Sequence, residues 1–173
     1  VSTIREELRL HTTLGHVELD IFPPTLTATG ITLDDPKYGR FAKTDQLIIR
    51  SSFFAFFRGS IDLEEIRLTA PELNLIVRNG AILNLPRPRN SRQTGPSGPS
   101  PVSVRKVVVT GARIAVDADP HGRAFLDGVT FTLHISDDNI VDVDLSAVSG
   151  AFEHKRGRES VQRLRAVARI SPE

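Results

Sequence analysis

The chain predicts a mostly β fold: an antiparallel, meandering and curved sheet, a β-groove, with one or two short helices. Three observations carry this. Apolar and polar residues alternate with a period of two along most of the 173 residues, the pattern of strands with one oily and one wet face. Glycine, proline, asparagine and aspartate interrupt the alternation at short intervals. Strand therefore follows strand with almost no helix between them, so antiparallel neighbours are expected.

In chain order, residues 1–13 have helical spacing. Ile4, Leu8 and His11 share a face, and Ser2 or Thr3 is placed to cap with Glu6 following. Gly15 ends this segment, and His16–Phe22 alternates as a strand until Pro23-Pro24 stops it. Thr25–Leu33 alternates again, Asp34-Asp35-Pro36 and Tyr38-Gly39 make a turn, and Phe41–Arg50 supplies a third strand. Ser51–Gly59 places four phenylalanines in five positions between capping serines and a terminating glycine, which predicts a short helix. Its aromatic area either closes the core or faces lipid or a partner.

The organising stretch is Gly59–Pro86. Ile61 and Leu63 alternate in one phase, Ile66 and Leu68 in the other, and Leu73, Leu75 and Val77 return to the first. One apolar face survives only if a bulge or bend sits at Glu64-Glu65 and another at Ala70-Pro71. Asn79-Gly80 tolerates positive φ at both positions, so a type I′ turn should set Val77 opposite Ile82 and Ile76 opposite Leu83.

Between Leu85 and Val102 the composition changes to prolines, arginines, serines and glycines. The chain thus divides into a first strand-rich part, 1–85, a flexible loop, 86–101, and a second strand-rich part of the same groove, 102–173. The loop is expected to be removable without unfolding either part. Val102–Asp117 resumes the alternation with a bend or bulge at Gly111, and Phe125–Ile135, Ile140–Val148, Ala151–Lys155 and Val161–Ile170 follow as strands.

Charge is nearly balanced, 22 basic against 21 acidic residues, and no basic stripe interleaved with aromatics points to nucleic acid. The absence of cysteine excludes disulfides, thiolate metal sites and cysteine nucleophiles. The absence of methionine, position 1 included, suggests a piece or a processed form of a longer protein. No apolar run of about 18 residues is present to span a membrane. The five histidines are scattered, and no nucleophile motif or phosphate loop occurs. Asp117/Asp119 and Asp142/Asp144 have the two-residue spacing that aims carboxylates to one strand face, but the loop ligands and closing carboxylate of a cation site are missing. Asp119-Pro120-His121 reads as a turn, where such residues are expected. No catalytic residue, metal ligand or cofactor is assigned, and the chain reads as non-enzymatic.

Gly30-Ile-Thr-Leu-Asp34, Leu47-Ile-Ile-Arg50, Arg58-Gly59 after the aromatic segment, Ile61–Leu68, Ala70-Pro71-Glu-Leu73, Asn79-Gly80 and Asn84-Leu85-Pro86 occur in that order. With Val107–Asp117 as a later unit, the run resembles the N-terminal region of the AsmA-like family, most closely its TamB branch, in bacteria with two membranes. That family is related to bridge-like lipid-transfer proteins. The resemblance implies a periplasm-facing segment of an envelope protein, attached to the inner membrane through a segment outside this chain. It implies that phospholipid acyl chains are held in a hydrophobic β-groove during transport between inner and outer membranes. Such a groove needs apolar area and no catalytic group. Its candidate lining is Ile61, Leu63, Ile66, Leu68, Leu73, Leu75, Val77, Ile114 and Val116. One alternative is an assembly module for outer-membrane proteins, a translocation and assembly role in which sheet edges pair with client strands by β-augmentation, and another is a hydrolase whose groups lie in the polar loops.

Overall fold

The computed structural model describes residues 10–52, 61–84, 102–136 and 140–171. Twelve strands form one curved, mostly antiparallel sheet. They are β1 (His11–Thr13), β2 (His16–Asp20), β3 (Thr25–Asp35), β4 (Gly39–Ser51), β5 (Ile61–Thr69), β6 (Glu72–Arg78), β7 (Ala81–Ile82), β8 (Val102–Val104), β9 (Lys106–Asp117), β10 (Arg123–Ile135), β11 (Val141–His154) and β12 (Gly157–Ile170). The main order is β1-β3-β4-β5-β9-β10-β11-β12, with β2 also on β3, β6 between β4 and β9, and β8 on β5.

Two meanders, β2-β3-β4-β5 and β9-β10-β11-β12, meet at a parallel joint. Ile66–Thr69 pairs with Val107–Thr110, and Glu72–Ile76 with Arg113–Asp117. This departs from antiparallel pairing throughout, and its cause is topological. The chain leaves β6 at one end of the sheet and re-enters as β8 beside Ile61 at the other. The expected removal of the intervening loop is thereby overturned. Asn84 bonds to Asn74, whereas Val102 pairs with Ile61, thirteen residues or about 40 Å away along the strands. A direct Leu85–Val102 link spans only about 3.8 Å.

The opening helix is also corrected, as far as the described residues reach. His11–Thr13 is strand, its β-branched Thr12 and Thr13 pairing with Leu33 and Thr32 of β3. Ser51 ends β4, and the rest of the expected aromatic helix lies outside the described residues. No helix occurs among the described residues. Ile140–Val148 and Ala151–Lys155, read as two strands, are a single one. Gly150 does not break β11 but makes room within it, since a Cβ there would stand 2.9 Å from Leu126 Cδ2.

The hairpin follows the sequence. Val77 pairs with Ile82, the Leu83 N–H donates to the Ile76 carbonyl at 2.8 Å, and Asn79 and Gly80 have φ of 51° and 75°. The buried Asn84 then extends the pairing with its side chain. Its Oδ1 accepts from the Ile76 N–H at 2.9 Å, and its Nδ2 donates to the Asn74 carbonyl at 2.7 Å.

A line of phase slips crosses the sheet. Gly30 on β3, Ala70 at the β5–β6 junction, Gly111 on β9, Gly128 on β10 and Arg163 on β12 all have positive φ, between 47° and 68°. At each, two consecutive residues point away from the apolar side, so the alternation changes parity while the apolar face stays one face. Glu64 is a further slip: Glu65 pairs with Arg50 but Leu63 with Ser51. The tightest packing lies along this crease. Ala112, Val129 and Ala147 form the core, with Val109, Ile114, Leu126 and Leu145 against them. Thr44, also buried there, brings its hydroxyl within 2.9 Å of the Thr69 carbonyl, where β5 gives way to β6 as the neighbour of β4.

Candidate functional site: an apolar face of the open sheet

Strand partners place their side chains on the same face, so the register defines rows that run across the sheet. One row is Val17, Ala28, Leu47, Leu68, Val109, Phe131, Leu145, Ala166. The next row on that face is Leu19, Leu26, Ile49, Ile66, Val107, Leu133, Val143, Ala168. Both are apolar across eight strands without a break. Eight strands at about 4.8 Å spacing make a row about 34 Å long, comparable to the roughly 30 Å hydrocarbon thickness of a bilayer. Beyond the crease the face continues as Leu33, Ala42, Leu73, Ile114, Leu126 and Val161, with Gly150 among them.

The face lies on a single layer. All twelve strands belong to one sheet, and among the described residues no second sheet is stacked on it. Most row residues are therefore half-buried, and the apolar residues under a tenth exposed are Leu10, Phe41 and four small or branched ones near the crease: Ala28, Ala112, Val129 and Ala147.

The opposite face on the same strands is predominantly polar. Adjacent to the second apolar row run Asp20, Thr25, Arg50 and Glu65 on one side of the joint, and Lys106, His134, Asp142 and Arg169 on the other. Arg169 forks onto Asp142 at 2.6 and 3.0 Å, and Arg165 reaches Asp144 at 3.0 Å. The hydrogen bond from Arg169 holds the Asp142 carboxyl below the usual aspartate range. The carboxylates whose spacing suggested a cation site thus carry arginine partners from β12. Asp117 is engaged likewise, accepting from Arg78 at 3.3 Å and from the Asp119 N–H at 3.2 Å.

The candidate residues fall as follows. Ile66 and Leu68 stand at the centre of the two rows, and Leu73 with Ile114 and Leu75 with Val116 form paired steps beyond the crease. Leu63 lies below them, opposite Ser51 and Val104, and Ile61, more than half exposed, lies lower still beside Val102. Val77 lies past the end of β9, against Ile82. Sequence reasoning missed the rest of the face. Leu26/Ala28, Leu47/Ile49, Val107/Val109, Phe131/Leu133 and Val143/Leu145 each carry the same two-residue spacing, and that spacing was the available signal.

A continuous apolar strip offers no nucleophile, base or ligand set. It offers area, at about 0.8 kcal/mol for each methylene fully removed from water. No protein-family model and no curated protein matches the chain.

Proposed function

We propose that this chain is a non-enzymatic segment of a periplasm-facing envelope protein that holds phospholipid acyl chains on its apolar face during transfer between membranes. The observation that supports this reading is the pair of unbroken apolar rows across eight strands, backed by charged residues one position away. A row is long enough to accept an acyl chain laid across the strands. Because each step along it is again apolar, a chain can slide without crossing a polar barrier.

The test is site-specific photo-crosslinking. A photoreactive amino acid at Leu68 or Leu133, in protein purified from a two-membrane bacterium, should yield adducts with the mass of a phospholipid. The same group at Arg67 or Thr132, on the opposite face, should not. Equal adducts from both faces, or none from either, would overturn the proposal.

A second reading has its own observation. All fourteen residues of β12 are exposed, and among the described residues the strand pairs only with β11, offering its other edge to a client strand by β-augmentation. Saturable binding of an amphipathic strand peptide that protects β12 amides from exchange would favour it.

A further inference from the structure

The turns at the two ends of the strands differ. At one end, the described turns Ile21–Pro24 and Ser136/Ile140 carry no basic residue, while Arg50, Arg105, Lys106 and Arg169 stand near them. At the other, the turns carry Lys37, His121, Lys155 and Arg156 together with Asp119, and Asp35 and Arg123 flank them. At this second end lies an open cleft of about 580 Å³ lined by Pro120, His121, Phe152, His154, Lys155 and Arg156, and an adjoining cleft that shares Pro120, His154 and Lys155 has Asp117, Asp119 and Glu153 in its wall.

Phe152 connects this cleft to the apolar face. It pairs with Ala124, Ala124 with Val116, and Val116 with Leu75, so an apolar track four strands wide ends at the cleft. Phe152 is 40% exposed there, and its ring lies 5.6 Å from that of His154. His154 Nδ1 accepts from the Arg156 N–H at 3.1 Å, which leaves Nε2 as the donor nitrogen. Two carboxylates stand close by: Glu153 pairs with Arg158 at 3.2 Å, and Glu159 lies 3.8 Å from His154 Nε2.

We infer that this cleft binds a phosphate-bearing headgroup, with Lys155 and Arg156 contacting the phosphate while the attached acyl chain lies along Phe152, Ala124, Val116 and Leu75. The inference rests on the acyl-binding reading and adds to it a headgroup site and the orientation of the bound lipid. An aromatic side chain in the same wall as two cations suits an amphipathic anion, whereas a free phosphate would use only the cations.

Calorimetric titration with two ligands separates these possibilities. Oleoyl lysophosphatidic acid and 1-oleoylglycerol, both below their micellar concentrations, share a chain and differ by the phosphate. The unmodified chain should bind the phosphate-bearing compound about thirtyfold more tightly, given the contribution of each of the two cations near an anionic headgroup. The double variant Lys155→Gln/Arg156→Gln, altered only at an exposed turn, should bind both compounds equally. Equal affinity in the unmodified chain, or a preference that survives in the variant, would overturn the headgroup site and leave the acyl-binding reading standing. Failure to bind either lipid would overturn both. Inorganic phosphate binding as tightly as the lysolipid, and losing that affinity in the variant, would reassign the cleft to the free anion and overturn the headgroup.

Discussion

Glu65 and Ile66 are neighbours in sequence, yet they stand in different solvents. Ile66 lies in a row of eight apolar residues, and Glu65 faces a layer of ion pairs in which Arg67 contacts it at 2.6 Å and Lys106 approaches to 4.0 Å. The two faces differ in what they contribute. Exposed pairs gain little because water and salt screen them. Apolar area contributes in proportion to what is removed from water, and along most of this face the removal is only partial. Stability is therefore concentrated at the crease, where the face is fully covered, while the rest of the apolar strip is left available.

The largest effect is expected from a charge at the crease. Val129 is 2% exposed, so Val129→Glu buries an unpaired carboxylate and should cost about 4 kcal/mol or more, abolishing cooperative unfolding in urea. Leu75→Glu, on the same face in its half-buried part, should leave a folded protein with unchanged circular dichroism and reduced lipid crosslinking. If both unfold alike, the face is a closed core throughout.

A smaller effect of opposite sign is expected at the slip that keeps the faces apart. Ala70 holds φ of 47°, a left-handed conformation that disfavours a side chain, so Ala70→Gly should raise stability by about 0.5–1 kcal/mol. A lower urea midpoint would show that the residue's methyl matters more than its backbone.

The smallest effect belongs to the charged face. Arg169→Ala should shift the midpoint least, and with a defined pH dependence. Arg169 holds the Asp142 carboxyl below 3.8, so the pair's contribution is complete above that value and is lost as the pH falls through the depressed one. Unmodified and variant midpoints should therefore converge in acid. A difference that grows on acidification would contradict the pairing.

Local chemistry was legible in the sequence where one residue decides the outcome. Asn79-Gly80 fixed its own hairpin, Gly111 marked a slip, and the changes of phase at Glu64 and Ala70 were visible because apolar residues flank them closely. Gly30, Gly128 and Arg163 perform the same task and were not read, although the three-residue steps Ala28/Ile31, Leu126/Val129 and Val161/Leu164 across them carry the same change of phase. The parallel joint was hidden for a different reason. It depends on where Val102 lands after a crossover, and alternation within a strand says nothing about its direction. The cleft basic residues were unreadable as a group because Lys155 and Arg156 meet His121 only through the β10–β11 register.

The joint also sets an order of events. Pairing Gly39 with Asp35 closes a loop of four residues, whereas pairing Ile66 with Val107 closes one of forty-one. By the logarithmic growth of closure entropy, the second costs about 2 kcal/mol more before any contact offsets it. Each meander is local enough to assemble on its own, so the seam between them is the slow step of folding. It is also the first pairing expected to lose amide protection when the sheet opens. During synthesis the first meander waits with the β5–β6 edge uncovered until Asp117 has been made, which places the period of greatest risk for misassembly within one interval of chain growth.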